Sequence, residues 1–158
     1  MTLASAALMV LVLAAQDDPI LKFEAPKEWT KEKPSSAMRK AQYRVPDKEK
    51  KGKDAELILS FFGRNSGGIE ANLKRWSAQM GGVEAKPEVI EGKCKVTLVD
   101  LKGTYTPGFG GDVIEEARMI AAMVETDGGP WFFKLVGPAQ TVGGWKEEMV
   151  KLLKAAQP

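Results

Sequence analysis

The sequence contains no histidine and only one cysteine, Cys94. Without histidine the chain cannot form Ser-His or Cys-His nucleophilic pairs or imidazole zinc sites, and it lacks the usual general base near neutral pH. A single cysteine excludes an intrachain disulfide and a two-cysteine metal clip. Any chemistry would therefore have to rest on carboxylates, lysine, tyrosine or the one thiol.

The sequence also has little net charge and no long apolar run. Its 23 Lys and Arg side chains and 21 Asp and Glu side chains leave a net charge of +2. Nucleic-acid binding draws its affinity from several clustered cations, so we predict no nucleic-acid partner. A bilayer span needs roughly 20 consecutive apolar residues, so we predict no stable membrane span.

Acidic residues are present, but their spacing suits no metal. The carboxylates nearest in sequence, Asp100, Asp112, Glu115 and Glu116, match neither a calcium loop nor a glycosidase pair. We therefore predict no metal, no cofactor and no catalytic constellation.

The first 15 residues differ in character from the rest of the chain. Residues 2–15 are uncharged and mostly apolar, and polar residues follow abruptly at 16–19. This pattern is typical of the h-region and small-residue end of a secretory signal. We predict a signal peptide at 1–15, export to the periplasm or the medium, and a single domain at 16–158. No Lys or Arg precedes the apolar run, so a buried N-terminal helix is the alternative.

A hairpin near the C-terminus is the strongest structural signal. Residues 118–125 and 131–136 are apolar at nearly every position and are separated by the turn sequence TDGGP. Uninterrupted apolar strands are typical of a sheet that is covered on both faces. This hairpin therefore predicts layers packed above and below it.

Two amphipathic helices are available to form those layers. Ile69, Leu73, Trp76 and Met80 recur at spacings of four, three and four, and Gly81 and Gly82 end that helix. A second apolar stripe, near the C-terminus, consists of Val142, Trp145, Met149, Leu152 and Leu153.

Further strands are predicted at 20–23, 38–45, 55–62 and 88–90, and at 95–106 as either one long strand or a pair bent at Asp100. Residues 31–36, 47–54 and 106–112 have the composition of loops. The order of the elements predicts the α+β class, with an antiparallel β-sheet flanked by two amphipathic helices.

Two segments are candidate binding elements. Residues 63–70, which include Arg64 and Asn65, connect a predicted strand to a helix, so their backbone amides could cradle an anion. The alternative is a flexible turn with a helix cap. Asn72 and Arg75 flank the apolar stripe of the first helix and could face a ligand, or they could be its solvated shoulder.

The glycine-rich loop (residues 106–112) carries one aromatic residue, Phe109. A mobile loop with an aromatic side chain is suited to contacting a partner, and inward packing of Phe109 is the alternative. Cys94 lies between two lysines, but it has no histidine or second thiol to assist it.

Several segments resemble those of an uncharacterised family of small exported bacterial proteins and lipoproteins. They are MRxAQYxVP at 38–46, AEL at 55–57, FG at 62–63, GG at 67–68, NxxRW at 72–76 and GPWFFKLxGP at 129–138. The element order is similar to that of the PsbP-like α/β/α sandwich. The resemblance implies a binding or assembly subunit without catalytic residues. The chain differs from the lipoprotein members of that family, because no lipidation cysteine follows its apolar run.

The functional hypothesis is an exported, non-catalytic domain that binds an unidentified protein or small molecule. Its predicted binding residues are Arg64, Asn65, Asn72, Arg75 and Phe109. The alternative is a small envelope enzyme with a carboxylate or Lys/Tyr site at the sheet edge, which would require a pocket with converging polar groups. A purely structural assembly subunit is the third possibility.

Overall fold

The computed structural model describes residues 21–158, so the predicted signal peptide lies outside the described residues. Its strands form one seven-stranded antiparallel sheet in the order β1-β2-β3-β7-β6-β5-β4. Their bounds are β1 Thr30–Glu32, β2 Ala41–Val45, β3 Ala55–Phe61, β4 Glu88–Glu91, β5 Lys95–Tyr105, β6 Ile114–Val124 and β7 Trp131–Pro138.

Helices cover both faces of this sheet. Helix α1 (Ile69–Gln79) packs against β5 on one face, and α2 (Ala139–Gly144) packs against β6 and β7 on the other. Helix α3 (Lys146–Ala155) continues from α2. The predicted α+β class, with an antiparallel sheet between helical layers, is confirmed.

The single closing helix that the sequence predicted is in fact two helices. The break lies at Trp145, where φ is −108° and ψ is 7°. Gly143 and Gly144 weaken the helix just before it. The Trp145 indole N–H donates to the Pro46 carbonyl oxygen at 2.6 Å, which holds the side chain at the turn.

The central hairpin formed by β6 and β7 is buried on both faces, as predicted. Phe133 and Leu135 of β7 face the core beneath α2 and α3, whereas Phe132 and Val136 face the core beneath α1. Successive side chains of a strand point to opposite faces, so one apolar strand serves two cores.

Helix α1 approaches β5 closely because Gly103 has no side chain. A Cβ there would lie 2.6 Å from the Met80 carbonyl oxygen at the end of the helix. The Gln79 carbonyl oxygen also accepts a 2.8 Å hydrogen bond from the backbone N–H of Thr106. These contacts attach the end of α1 to the strand that enters the glycine-rich loop.

The N-terminal strand prediction was wrong. In the described part of that segment Lys22 forms only an isolated bridge with Gln157, while strand β1 lies at Thr30–Glu32, where a loop was expected. Thr30 and Lys31 are exposed, so β1 has no apolar pattern to reveal it. Its backbone pairing with β2 alone defines it.

The open question about residues 95–106 is resolved in favour of one long strand, β5, with a register irregularity between Gly103 and Tyr105. Among the helices of residues 21–158, none has the length and apolar content needed to cross a membrane.

Candidate functional site

Polar side chains collect on the α1 face of the sheet, where the helix stops covering β3 and β7. Lys134 lies in β7 between Phe132 and Val136 and is paired with Ile58 of β3. We call the group around it the Lys134 cluster. Its members are Lys134, Arg39, Glu56, Arg75, Gln79 and Tyr105.

Within the described residues, the ammonium group of Lys134 makes long contacts. Its Nζ lies 3.4 Å from Gln79 Oε1 and 3.4 Å from the Tyr105 hydroxyl oxygen, beyond the usual hydrogen-bond range. It also lies 5.5 Å from the centre of the Tyr105 ring. Within residues 21–158 Lys134 forms no ion pair.

This environment disfavours the charged form of the side chain. Burial lowers the pKa of Lys134 to about 8, and repulsion by Arg39 and Arg75 adds to the shift while Glu56 opposes it. Perturbed pKa values of this kind often mark functional groups.

Arg39 and Glu56 neutralise each other beside Lys134. Arg39 Nη1 donates to Glu56 Oε1 at 2.7 Å and to Gln42 Oε1 at 2.8 Å. Glu56, the carboxylate of the cluster, therefore already has Arg39 as its ion-pair partner.

Asn72 and Arg75 act together on α1. The Asn72 side chain is fully buried, its amide nitrogen donates to the Gly68 carbonyl oxygen at 3.0 Å, and its amide oxygen accepts a hydrogen bond from Arg75. Asn72 therefore fastens the first turn of α1 and positions Arg75, and it is not part of an exposed surface. Arg75 is exposed and has no carboxylate partner within the described chain.

A cavity of about 260 Å³ adjoins the cluster and opens to solvent, with Arg44, Glu56, Tyr105, Ile114 and Val136 among its lining residues. Tyr105 directly precedes the glycine-rich loop and Ile114 begins the strand that follows it. The loop therefore rises from the rim of this cavity.

Phe109 is 97% exposed at the tip of the loop, so inward packing, the alternative considered from the sequence, does not occur. Gly110 and Gly111 have φ values of 67° and 101°, which glycine adopts without strain. A Cβ at Gly108 would lie 3.6 Å from Gln79 Nε2, so the loop passes beside a member of the Lys134 cluster.

Arg64 and Asn65 lie in a 3₁₀ turn at the other end of β6. Arg64 Nη2 donates to the Asp127 carbonyl oxygen at 3.0 Å and so links this turn to the β6–β7 connection. Phe109 lies on the β5–β6 connection, and β6 spans 11 residues between the two. The five predicted residues consequently do not form one site. Arg75 belongs to the Lys134 cluster, and Phe109 lies on the neighbouring loop.

Sequence reasoning missed Lys134 itself. The available signal was its position as the one charged residue in an otherwise apolar strand, WFFKLVG. A lysine in a strand that is covered on both faces either loses the hydration of its ammonium group or pairs with another polar group.

A second cavity, of about 400 Å³, lies against α3 beside Trp145 and Lys48. Lys48 Nζ lies 4.2 Å from the centre of the Trp145 ring and 2.6 Å from Glu148 Oε1. Lys48 and Glu148 therefore pair with each other. Glu28 and Lys50 also line the cavity and form no ion pair within residues 21–158, and Glu148 Oε2 is buried there without a hydrogen-bond partner.

Replacing Lys134 with methionine should stabilise the protein at pH 7 by about 2 kcal/mol, because it removes a charge that folding desolvates. Between about pH 8 and pH 10.5 the unfolded chain holds the Lys134 proton and the folded chain does not. The unfolded state then binds more protons, so wild-type stability rises with pH and the advantage of the variant shrinks. Urea unfolding of both proteins from pH 7 to 11 measures this difference, and a constant difference would contradict the assignment.

The fold is a PsbP-like α/β/α sandwich, in which helices cover both faces of one antiparallel sheet. The chain is similar in structure to the solution structure of cyanobacterial PsbP (CyanoP) from Synechocystis sp. PCC 6803. The TM-score is 0.56 at 13% sequence identity, over 87% of this chain and 85% of that chain. At this identity the likeness concerns the fold alone. No family model and no curated protein sequence matches the chain, so membership of an exported bacterial family stays a prediction.

Proposed function

We propose that this chain is an exported, non-catalytic binding or assembly domain that recognises its partner with the surface around α1 and the glycine-rich loop. The observation that carries the proposal is Phe109, which is 97% exposed on a loop that borders the Lys134 cluster. Val113, just after the loop, is 57% exposed. Aromatic side chains are enriched at protein interfaces, where they supply much of the binding energy.

The surface also carries charge that could select a partner. Arg75 is exposed and Lys134 lies partly buried beside it, and neither forms an ion pair with residues 21–158. The PsbP-like fold is compatible with such a role, since its sheet is sealed by helices and leaves the loops and rims for recognition.

Affinity capture from the envelope fraction of the parent cells tests the proposal. Phe109→Ala and Arg75→Gln should each reduce recovery of the principal partner by roughly tenfold, which corresponds to about 1.4 kcal/mol. Val89→Ala is the matched control, because Val89 is 55% exposed on the edge strand β4. A partner that binds all variants equally, or no partner at all, would contradict the proposal.

Export is tested separately by mass spectrometry of the purified N-terminus. A mature chain that begins near residue 16 supports export, whereas an intact Met1 in cytoplasmic fractions argues against it.

An enzyme is the second candidate, because one observation favours it. Burial lowers the pKa of Lys134 to about 8, so part of the amine is neutral near physiological pH, and the Tyr105 hydroxyl lies 3.4 Å away. Such an amine can form a Schiff base with a carbonyl compound. Borohydride trapping with glyceraldehyde should then label Lys134 selectively. Labelling spread over surface lysines would count against the enzyme.

A further inference from the structure

We propose that the surface between α1 and β7 binds an oxyanion, a carboxylate or phosphate group, held between Lys134 and Arg75. This inference rests on the proposed function, since it names the chemical group that the surface recognises. Its basis is the balance of charges and hydrogen bonds on this face of the sheet.

The carboxylates around the cavity on this face form ion pairs with arginines, and two cations have no acidic partner among residues 21–158. Arg39 and Glu56 form an ion pair at 2.7 Å, and Arg44 lies 3.3 Å from Glu32 and 3.6 Å from Asp54. Each carboxylate around the cavity therefore already has an arginine. The remaining cations, Lys134 and Arg75, have no acidic partner in the part of the chain that the structure describes.

The hydrogen-bond donors on this face are only partly used within residues 21–158. An ammonium group has three donors, and those of Lys134 make two long contacts there, at 3.4 Å, to Gln79 and Tyr105. Arg75 has five N–H donors, of which the described chain uses one, for Asn72. An oxyanion placed between them could accept from both cations and, with small side-chain rotations, from the Tyr105 hydroxyl and the Gln79 amide.

The two cations oppose each other in the free protein, because Arg75 disfavours the charged form of Lys134. An anion within about 4–6 Å would reverse that effect and favour the protonated amine. Arg39 and Glu56 are the remaining charged groups that face Lys134, and they form an ion pair with each other.

The test is a titration of the Lys134 side chain by NMR with isotope-labelled protein. Sodium acetate, sodium phosphate and N-acetyl-glutamate amide are the probes, and sodium chloride at matched ionic strength separates binding from screening. We expect the pKa of Lys134 to rise by about one unit with a bound anion. Arg75→Gln should abolish most of the rise, and Lys86→Met, a change at an exposed lysine paired with Glu84, should leave it intact.

The probes distinguish the sources of the anion. A response to acetate and to blocked glutamate identifies a carboxylate, free or carried on a protein, and a response to phosphate alone identifies a phosphate group. An equal response to chloride, no response, or an undiminished response in Arg75→Gln would overturn the site. If anions fail while Phe109→Ala still reduces partner capture, only the anion site falls. If capture is also insensitive to Phe109 and Arg75, the proposed function falls with it.

Discussion

Replacing Phe133 with alanine should lower the free energy of unfolding by about 3–5 kcal/mol. Phe133 is completely buried in the middle of β7, paired with Leu59 on one side and Ala122 on the other. Its ring lies edge-on to Phe23 with the ring centres 5.5 Å apart. The sheet and the helices α2 and α3 enclose this position, so the neighbours cannot easily fill the cavity that alanine would leave. Urea unfolding monitored by tryptophan fluorescence measures the loss.

Phe109→Ala is the matched control, because it makes the same chemical change on a side chain that is 97% exposed. Its effect on stability should stay within about 0.5 kcal/mol. Similar losses at both positions would mean that the layer of α2 and α3 does not seal this face of the sheet. The same control shows whether Phe109→Ala weakens partner capture without weakening the fold.

The second large effect is expected at Asp100, which joins three elements on the α2 and α3 side of the sheet. Its carboxylate accepts from Arg118 of β6 at 2.7 Å and 2.6 Å, and from Lys146 of α3 at 2.8 Å. The Asp100 and Arg118 side chains are only 20% and 14% exposed. Asp100→Ala should therefore cost about 3 kcal/mol at pH 7, because it leaves a desolvated guanidinium without its partner.

The Asp100 carboxylate should also make the free energy of unfolding sensitive to acid. Burial raises the pKa of Asp100, but the hydrogen bonds from Arg118 and Lys146 outweigh it and lower the pKa to about 2. In an unfolded chain an aspartate titrates near 3.9. The unfolded state thus binds more protons between these values, so about 2 kcal/mol of stability, present above pH 4, is lost as the pH falls towards 2.

Unfolding of wild type and Asp100→Ala at a series of pH values from 7 to 2 tests the stability loss and its pH dependence. The difference in free energy of unfolding between the two proteins should become smaller in acid. Glu84→Ala is the control, because Glu84 and its partner Lys86 are 79% and 81% exposed and such pairs contribute little. A gap that does not change with pH would contradict the role assigned to the carboxylate.

Much of the architecture could be read from local patterns. The hairpin of β6 and β7 was recognisable because both of its faces are apolar, and α1 because Trp76 and Met80 fall on one stripe. Strand β1 was not recognisable, since an exposed edge strand of three residues depends on backbone pairing, which its side chains do not encode. The Trp145 side chain at the break between α2 and α3 is held by a hydrogen bond to Pro46, 99 residues away, which the local sequence does not reveal.

Less of the candidate site could be predicted from the sequence. Arg75 could be proposed from its place on the helix, and Phe109 from the glycines around it. Lys134, Glu56 and Tyr105 come from three strands that are distant in sequence, and only the sheet order brings them together. The sequence pattern placed Asn72 on the surface, but its side chain is fully buried and accepts a hydrogen bond from Arg75.

By itself, the sequence determined which segments bury apolar surface and that the sheet has to be covered on both faces, because the periodicity of side chains along a strand or helix is a local property. Only the tertiary structure decided which charges meet. Ion pairing depends on distances of a few ångströms between residues far apart in the chain. Among residues 21–158, those distances leave Lys134 and Arg75 without an acidic partner beside an exposed aromatic loop.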